Sequence, residues 1–385
     1  MKNLVVSYIW IFTIVMTNLT QLPIVIDSSG SLKKIMTFTM MLFWILLLLL
    51  SVYMNKNKKY IFNLKNLLNL YLFLIFILIN SIININYLNS DFIYPVFLNM
   101  FIMITSFFAS LHIKKEDFYK LANAYIYSSI IVAINIYFEY FRGSNWANSI
   151  TYIYRSKNSL ASILAIGIIL VLETWKKRNK FLSISLIWIL VSILIMLKSR
   201  ASIIMVIIGV FIKFIISDKN LHKKIIYIFI AISLICLLLS NHSFYNLFIN
   251  KIMLNNLGNT NINDISSGRI DQYKMFFENF KGSIFWIGNG GQYLEIFYLA
   301  ALVSYGLIGG GLLILLAFLP IRIAIKNFNI KKNLNMNRLT IVLNIMFLIN
   351  AIFEELTPFG PGVECYFLWL ITGLYLGLNS RSIEK

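Results

Sequence analysis

Charged residues are scarce in this sequence, because Asp, Glu, Lys and Arg together make up only 13% of its 385 residues. Soluble globular domains carry about twice that share. Apolar residues make up 59% of the chain. They occur in runs close to the ~20 residues that a helix needs to cross a hydrocarbon core of roughly 30 Å. The sequence therefore excludes a soluble protein and predicts an all-α polytopic membrane protein.

Cysteine and histidine are also rare. The two cysteines, Cys236 and Cys365, lie in or beside apolar runs, where we expect them to pack. The three histidines fall in separate predicted loops, so they do not have the spacing of metal ligands. No Gly-Lys-Ser/Thr follows the glycine-rich stretch 288–291, and no Gly-x-Ser-x-Gly occurs. The sequence thus predicts no metal site and gives no support for nucleotide or serine-triad chemistry.

Charged and Asn/Gly-rich breaks divide the chain into about twelve predicted transmembrane helices. The first is interpreted as a retained span, because no small-residue cleavage site precedes Asp27. A large loop at 241–292 separates the ninth span from the tenth, so transmembrane segments occupy 1–240 and 293–385. The predicted spans are 4–25, 35–53, 67–86, 92–111, 119–140, 159–174, 181–197, 201–216, 225–240, 293–319, 339–354 and 363–379.

Lys and Arg are concentrated in alternate loops. Cytoplasmic loops hold the excess of basic residues in membrane proteins, so the pattern places both termini in the cytoplasm and the loop 241–292 outside. The net charge of +19 then mostly reflects this topology, in which short basic inner loops lie against anionic lipid. Because the basic residues are dispersed and do not form one face of a folded domain, no nucleic-acid partner is expected.

The large loop contains a predicted amphipathic helix. Its many aromatic residues are not typical of a disordered segment. From 269 to 280 they recur as one helical stripe, with Ser266 or Ser267 as the N-cap. We expect this helix to lie on the outer membrane surface or on the helix bundle.

Ionisable residues cluster at one level, the predicted outer boundary of the membrane. Such residues are costly at membrane depth and tend to mark a pathway or an active site. The alternative is that long side chains simply reach water from helix ends. The basic candidates are Arg142, Arg155, Lys157, Lys198, Arg200 and Arg269. The acidic candidates are Glu139, Glu295, Glu354, Glu355 and Glu364.

Two arginines stand out among the basic candidates. Arg200 ends the short connection that begins at Lys198, on the side where positive charge is disfavoured, so we expect an anion to compensate it. Arg269 opens the predicted helix behind Gly268. A helix N-terminus with a glycine and a guanidinium suits a phosphate group. The alternative for this segment is a helix cap with a solvated arginine.

A carboxylate is the remaining candidate for acid and base catalysis. Burial at the edge of a bundle raises the pKa of a glutamate and makes it a better general base. Glu295 is the first candidate, because it follows the glycine-rich turn 288–291. Water-facing helix ends are the alternative interpretation of the others. The secondary candidates are Glu139, Glu354, Glu355 and Glu364.

The order of these motifs resembles the O-antigen polymerase and ligase superfamily. The motifs are Lys-Ser-Arg ending at Arg200, Ser-Ser-Gly-Arg ending at Arg269, Trp-Ile-Gly-Asn-Gly-Gly at 286–291, and a span at 299–310 with Gly-x-x-Gly near its end. The resemblance implies a membrane-embedded glycosyltransferase on the outer face of the bacterial cytoplasmic membrane. A single displacement at the anomeric carbon makes the expected transfer inverting.

For this chain the resemblance implies a polymerase of O-antigen or capsule repeat units. The growing glycan would move from undecaprenyl diphosphate to a lipid-linked acceptor repeat unit, with no cofactor. Arg200 and Arg269 would bind the diphosphate, with Gly268, Arg155 and Lys198 beside them. The implied partners are an undecaprenyl-diphosphate-linked oligosaccharide, membrane lipid, a chain-length regulator and a flippase.

Three alternatives to the polymerase remain. One is a purely structural or sensory membrane protein, which would need no paired arginines on the side where they are disfavoured; the others are a ligase and a flippase. Ligase-type members carry a His-Asn pair where this chain has Glu295 and Ile296, which favours a polymerase over an O-antigen ligase-type transferase. A lipid-linked oligosaccharide flippase would also have about twelve spans. It would place charge deep in the spans around a central cavity, whereas here the charges lie near the outer boundary.

Overall fold

The computed structural model describes residues 2–27, 30–55, 64–114, 116–141, 157–217, 246, 268–291, 294–326, 334–360 and 363–383. Within these ranges every regular secondary-structure element is a helix. Five of the described helices are long and apolar enough to cross a membrane, and further apolar helices are shorter. The predicted all-helical class is confirmed for these residues, and the apolar helices support membrane embedding. The number of twelve spans stays a prediction, and the ninth predicted span, 225–240, lies outside the described residues.

The helices are numbered in chain order. They are α1 (Lys2–Leu19), α2 (Pro23–Asp27), α3 (Gly30–Asn55), α4 (Leu68–Ser81), α5 (Asn86–Asn89), α6 (Ile93–Ser110), α7 (Asp117–Phe141), α8 (Lys157–Thr174), α9 (Lys180–Met196), α10 (Arg200–Ile216), α11 (Arg269–Asn279), α12 (Ser283–Ile287), α13 (Phe297–Ala317), α14 (Leu319–Lys326), α15 (Leu334–Asn350) and α16 (Tyr366–Ile383). The first predicted span, 4–25, is divided between α1 and α2, because Pro23 begins a new helix.

Helices α6 and α16 pack closely in the core of the bundle. A Cβ atom at Gly373 would overlap the backbone of Met103, and one at Gly377 would overlap Ser110. Small residues let two membrane helices approach until their backbones touch, which replaces the hydrophobic driving force that lipid does not supply. Helix α8 lies in the same core and is buried along almost its whole length.

One end of the bundle, called here the site end, is formed where the loops 81–92, 197–200, 286–297 and 351–365 meet. The Tyr87 hydroxyl donates to the carbonyl oxygens of Ile287, at 3.0 Å, and Gly288, at 2.9 Å. The Phe297 amide donates to the Ala351 carbonyl at 3.0 Å. These loops, which are all predicted to lie on the outer side of the membrane, therefore share one end of the molecule.

A second polar end has a different set of contacts. Lys213 on α10 forms an ion pair with Glu173 on α8. The Tyr119 hydroxyl donates to the Lys177 carbonyl at 3.1 Å. These residues belong to the loops and helix ends that the charge pattern predicts to be cytoplasmic. Which end faces the cytoplasm stays a prediction.

Helix α13 is broken at Gly306, whose φ of 65° is in the left-handed region. The break leaves the carbonyl oxygens of Val303 and Ser304 without helical donors, and the amides of Asn289 and Gly290 donate to them at 3.0 and 2.9 Å. Broken helices are tolerated at membrane depth when a neighbouring segment satisfies the freed backbone groups. The tenth predicted span, 293–319, therefore contains a break at Gly306.

The amphipathic helix predicted at 269–280 is confirmed as α11. Its N-cap is Gly268, with a φ of 80° and no side-chain cap, which corrects the prediction of Ser266 or Ser267. Phe276 is buried and stacks on Phe280 with ring centroids 4.7 Å apart. Between 241 and 267, the part of the predicted loop before α11, Asn246 alone is among the described residues.

Candidate active site

Arg269 and Glu295, two of the candidates from the sequence, form an ion pair at the site end. The Arg269 Nη2 atom lies 2.9 Å from Glu295 Oε2 and donates to the Phe353 carbonyl at 3.0 Å. The guanidinium also lies over the Phe353 ring, 5.7 Å from its centroid. The Glu295 amide donates to Gln272 Oε1 at 2.8 Å, which ties α11 to the loop before α13. These contacts fix Arg269 in the first turn of its helix.

Arg200 contributes a second guanidinium to the same place. It is the first residue of α10, behind Ser199, whose side chain accepts from the Ser202 amide. Arg200 lies close enough to Arg269 for the two positive charges to act on each other, and Lys157 experiences the charges of Arg200 and Lys198. Like charges at such range favour an anion between them.

The turn before Arg200 is tightly constrained. Lys198 has a φ of 49°. A side chain other than glycine adopts this left-handed backbone only at a cost, and such residues are concentrated at functional sites. Together with the helix cap at Ser199, this turn fixes the position at which α10 begins. Arg200 is therefore placed by the backbone as well as by its own side-chain contacts.

Asn158, in the first turn of α8, links the arginine turn to a carboxylate. Its Nδ2 donates to Glu354 Oε1, and its Oδ1 accepts from the Ser199 hydroxyl at 2.7 Å. The Ser202 hydroxyl donates to the Asn158 carbonyl at 3.3 Å. Asn158 was not among the site residues predicted from the sequence. One asparagine at the start of a predicted span gives no signal of a partner almost two hundred residues away.

Two carboxylates in the loop 351–360 titrate near neutral pH. Burial raises the pKa of Glu354 to about 7, opposed by the hydrogen bond from Asn158 and the charge of Arg269. Burial also raises the pKa of Glu355 to about 8, with a further contribution from the negative charge of Asp91. Groups that titrate near the working pH are suited to proton transfer.

Glu364 lies deeper, just before α16, and is 1% exposed. Its Oε1 accepts from the Thr357 hydroxyl at 3.4 Å. Burial, together with the nearby charge of Glu354, raises the pKa of Glu364 well above its usual range. Glu364 therefore serves as a buried hydrogen-bonding group behind Glu354.

Glu139, Arg142 and Arg155 were the other candidates from the sequence. Glu139 lies in the last turn of α7 and is half-buried. Arg142 and Arg155 lie outside the described residues. Cys365 is buried, as expected, and Cys236 is not described. Within the described part of the chain, no three His, Cys, Asp or Glu side chains are placed to share a metal ion.

Comparison of the chain with protein-family models and with curated proteins finds no match to either. Function must therefore be inferred from the chemistry of the site. That site combines two neighbouring guanidinium groups, a carboxylate paired with one of them, and two carboxyl groups that titrate near neutral pH. It can bind an anion such as a diphosphate and accept a proton beside it.

Proposed function

We propose that the chain is a polysaccharide polymerase of the type found in the O-antigen polymerase superfamily. In this proposal about twelve spans carry the site end on the outer face of the bacterial cytoplasmic membrane. The substrates are glycans linked to undecaprenyl diphosphate, both the growing chain and the acceptor repeat unit. The proximity of Arg200 and Arg269 beside a group of carboxylates is the observation that carries the proposal.

The arginines would hold the leaving diphosphate. Guanidinium groups bind phosphate oxygens through pairs of parallel hydrogen bonds. As the bond between the sugar and the diphosphate breaks, negative charge develops on the leaving oxygen. In this proposal Arg200 and Arg269 would stabilise that charge more strongly in the transition state than in the bound substrate, which is the condition for catalysis.

Glu295 would be the general base. In the absence of substrate it is paired with Arg269 at 2.9 Å. A bound diphosphate competes for the same guanidinium and releases the Glu295 carboxylate beside the reacting centre. Donor binding thus activates the base.

The reaction is a single displacement. An acceptor hydroxyl attacks the anomeric carbon of the growing chain and gives its proton to Glu295. The bond from that carbon to the diphosphate oxygen breaks, and its electron pair stays on the diphosphate. One carbon–oxygen bond forms as the other breaks, so the configuration at the anomeric carbon inverts.

The test uses the purified protein in lipid vesicles with the undecaprenyl-diphosphate repeat unit of its host, no nucleotide and a chelator. Products are separated on a gel. We expect a ladder spaced by one repeat unit for the wild type, and a loss of about 100-fold or more in rate for Arg200→Ala and for Arg269→Ala.

Lys274→Ala is the matched control, because Lys274 lies on the same helix as Arg269 and is exposed. Full ladders from both arginine variants would contradict the site. Movement of the repeat unit across the vesicle membrane without any ladder would instead support a flippase.

A further inference from the structure

A separate polar cleft of about 290 Å³ lies beside the proposed catalytic site. It is formed between α5, the start of α6 and the glycine-rich segment before α13. Its volume is close to the lower limit of small-ligand pockets, about 300 Å³, which is room for one sugar ring. The polar side chains that line it are Asn86, Asn89, Ser90, Asp91, Ser304 and Glu355.

The walls of the cleft are held in place without a ligand. Gly290 has a φ of 87°, and a Cβ atom there would lie 2.8 Å from the Cβ of Asn86, so the glycine backbone forms part of the wall. Asn84 Nδ2 donates to the Asn289 carbonyl at 3.3 Å, and the Tyr87 hydroxyl binds the carbonyls of the preceding segment. A preformed cleft binds its ligand with little loss of conformational entropy.

The lining is suited to a neutral, hydroxyl-rich ligand. Amide and hydroxyl side chains both donate and accept, and carboxyl groups accept, which matches the alternating donors and acceptors of a sugar ring. None of the described residues that line the cleft is basic. A phosphate would thus have no described basic partner in the cleft and would be repelled by the negative charge of Asp91. The arginine cluster, in contrast, attracts anions.

Glu355 connects the cleft to the catalytic site. It lines the cleft, and it lies close enough to Glu295 and Glu354 for their charges to act on it. Glu295 in turn contacts Arg269. The proposed base is therefore paired with the cationic site and lies within electrostatic range of a residue that lines the cleft.

We propose that this cleft is the acceptor subsite, which binds the terminal sugar of the acceptor repeat unit and directs one hydroxyl toward Glu295. This inference rests on the proposed function, because it assigns the second substrate of the same reaction. The donor diphosphate occupies the arginine side and the acceptor sugar occupies the cleft. Two lipid-linked substrates of the same chemistry are thereby distinguished by charge.

The first experiment measures binding of the free repeat-unit oligosaccharide, without lipid or phosphate, to the protein in detergent. We expect saturable binding by the wild type and by Arg269→Ala. The double variant Asn89→Ala/Asp91→Asn should bind at least tenfold more weakly, since both side chains are exposed in the cleft and can be changed without loss of folding. Glu278→Gln, an exposed carboxylate on α11, is the matched control.

The second experiment measures the initial polymerisation rate with lipid-linked polymer as donor and labelled repeat unit as acceptor. In the double variant we expect KM for the acceptor to rise about tenfold or more, with KM for the donor unchanged. Arg269→Ala should show the opposite pattern, with donor use impaired and oligosaccharide binding retained.

Each outcome decides a separate point. Undiminished oligosaccharide binding by the double variant, or no binding by the wild type, would overturn the acceptor subsite even if polymer is made. Binding of Ca²⁺ that depends on Asp91, without binding of the oligosaccharide, would identify the cleft as a cation site and also overturn it. Oligosaccharide binding in the cleft without any polymer would overturn the proposed polymerase and leave a saccharide site.

Discussion

Arg269 is restrained by three different groups, a carboxylate, a carbonyl and an aromatic ring. Its planar guanidinium can face the ring of Phe353 while its nitrogens bind Glu295 and the Phe353 carbonyl. A lysine ammonium has no such planar arrangement and cannot bind a diphosphate in a bidentate manner. At this residue shape matters as well as charge.

Arg269→Lys should therefore keep the local charge and still lose activity. We expect a decrease of about tenfold or more in kcat with unchanged folding, because bidentate hydrogen bonds to the leaving group are lost. The polymer ladder gives the rate, and thermal melting in detergent reports folding. Full activity of this variant would show that Arg269 supplies only charge.

Glu354 gives a pH dependence of stability with a defined sign. Its pKa is raised from 4.5 to about 7 in the folded protein. The folded state therefore holds this proton more tightly than the unfolded state. The stabilisation is fully present below about pH 4.5 and is lost as the pH rises through about 7.

Glu354→Gln should therefore melt a few degrees higher than the wild type at pH 8, and the fall in Tm between pH 5 and pH 8 should become shallower. Glutamine keeps an acceptor for Asn158. Glu278→Gln, which changes an exposed carboxylate, should leave the profile unchanged. A wild type that is more stable at pH 8 than at pH 5 would contradict the assignment.

Helix α11, on the surface of the bundle, positions Arg269, the residue proposed to bind the diphosphate. Phe276 is buried and stacks on Phe280, whereas its neighbour Phe277 is exposed. The buried ring joins the hydrophobic core, and the Gln272 side chain ties the same helix to the Glu295 amide at 2.8 Å. Movement of this helix would displace Arg269 from the other arginine.

Phe276→Ala should loosen α11 and lower polymer formation about tenfold or more, while Phe277→Ala has little effect. Large-to-small changes of a buried phenylalanine cost about 3–5 kcal/mol, which a short helix cannot easily absorb. Limited proteolysis of the segment around α11 and the ladder assay measure the two effects. Equal behaviour of the two variants would contradict the observed burial.

The break in α13 makes a second prediction at this scale. Gly306→Ala forces a side chain into the left-handed region and toward the Trp286 carbonyl. The strain alone costs about 1–3 kcal/mol. We expect little monodisperse protein after purification. Gly311→Ala, in the same helix with open space at its Cβ position, is the control and should purify normally.

Across the whole molecule the sequence was informative about fold class and about which loops share an end of the bundle. Long apolar runs predicted membrane helices, and the aromatic stripe predicted α11. The loops predicted to share a side meet at one end, where Arg200, Arg269, Glu295, Glu354 and Glu355 come together.

The long-range pairings could not be predicted from the sequence. Hydropathy records the length and polarity of each helix but not its neighbours, so the contact of Asn158 with Glu354 was not visible. The break at Gly306 was not predicted for the same reason. Hydropathy does not show that the amides of Asn289 and Gly290 satisfy the carbonyls of Val303 and Ser304 beside the break. The N-cap of α11 was misassigned because serine normally competes well for that position.

Orientation in the membrane is testable on the whole molecule. In a variant without Cys236 and Cys365, Lys274→Cys should react with a membrane-impermeant maleimide on intact cells. Lys176→Cys, at the opposite end of the bundle, should react only after permeabilisation. Both lysines are exposed, so accessibility does not limit either reaction. Labelling in the reverse order would place the site end in the cytoplasm.

The amide groups of Asn289 and Gly290 have a consequence for how the protein is made. They emerge from the ribosome before the helix whose carbonyls they cap. Helix α13 cannot settle in lipid while the carbonyls of Val303 and Ser304, just before its break, lack donors. Insertion of this helix and closure of the segment across it are therefore one event during biogenesis, and the chemical site cannot be assembled until that event is complete.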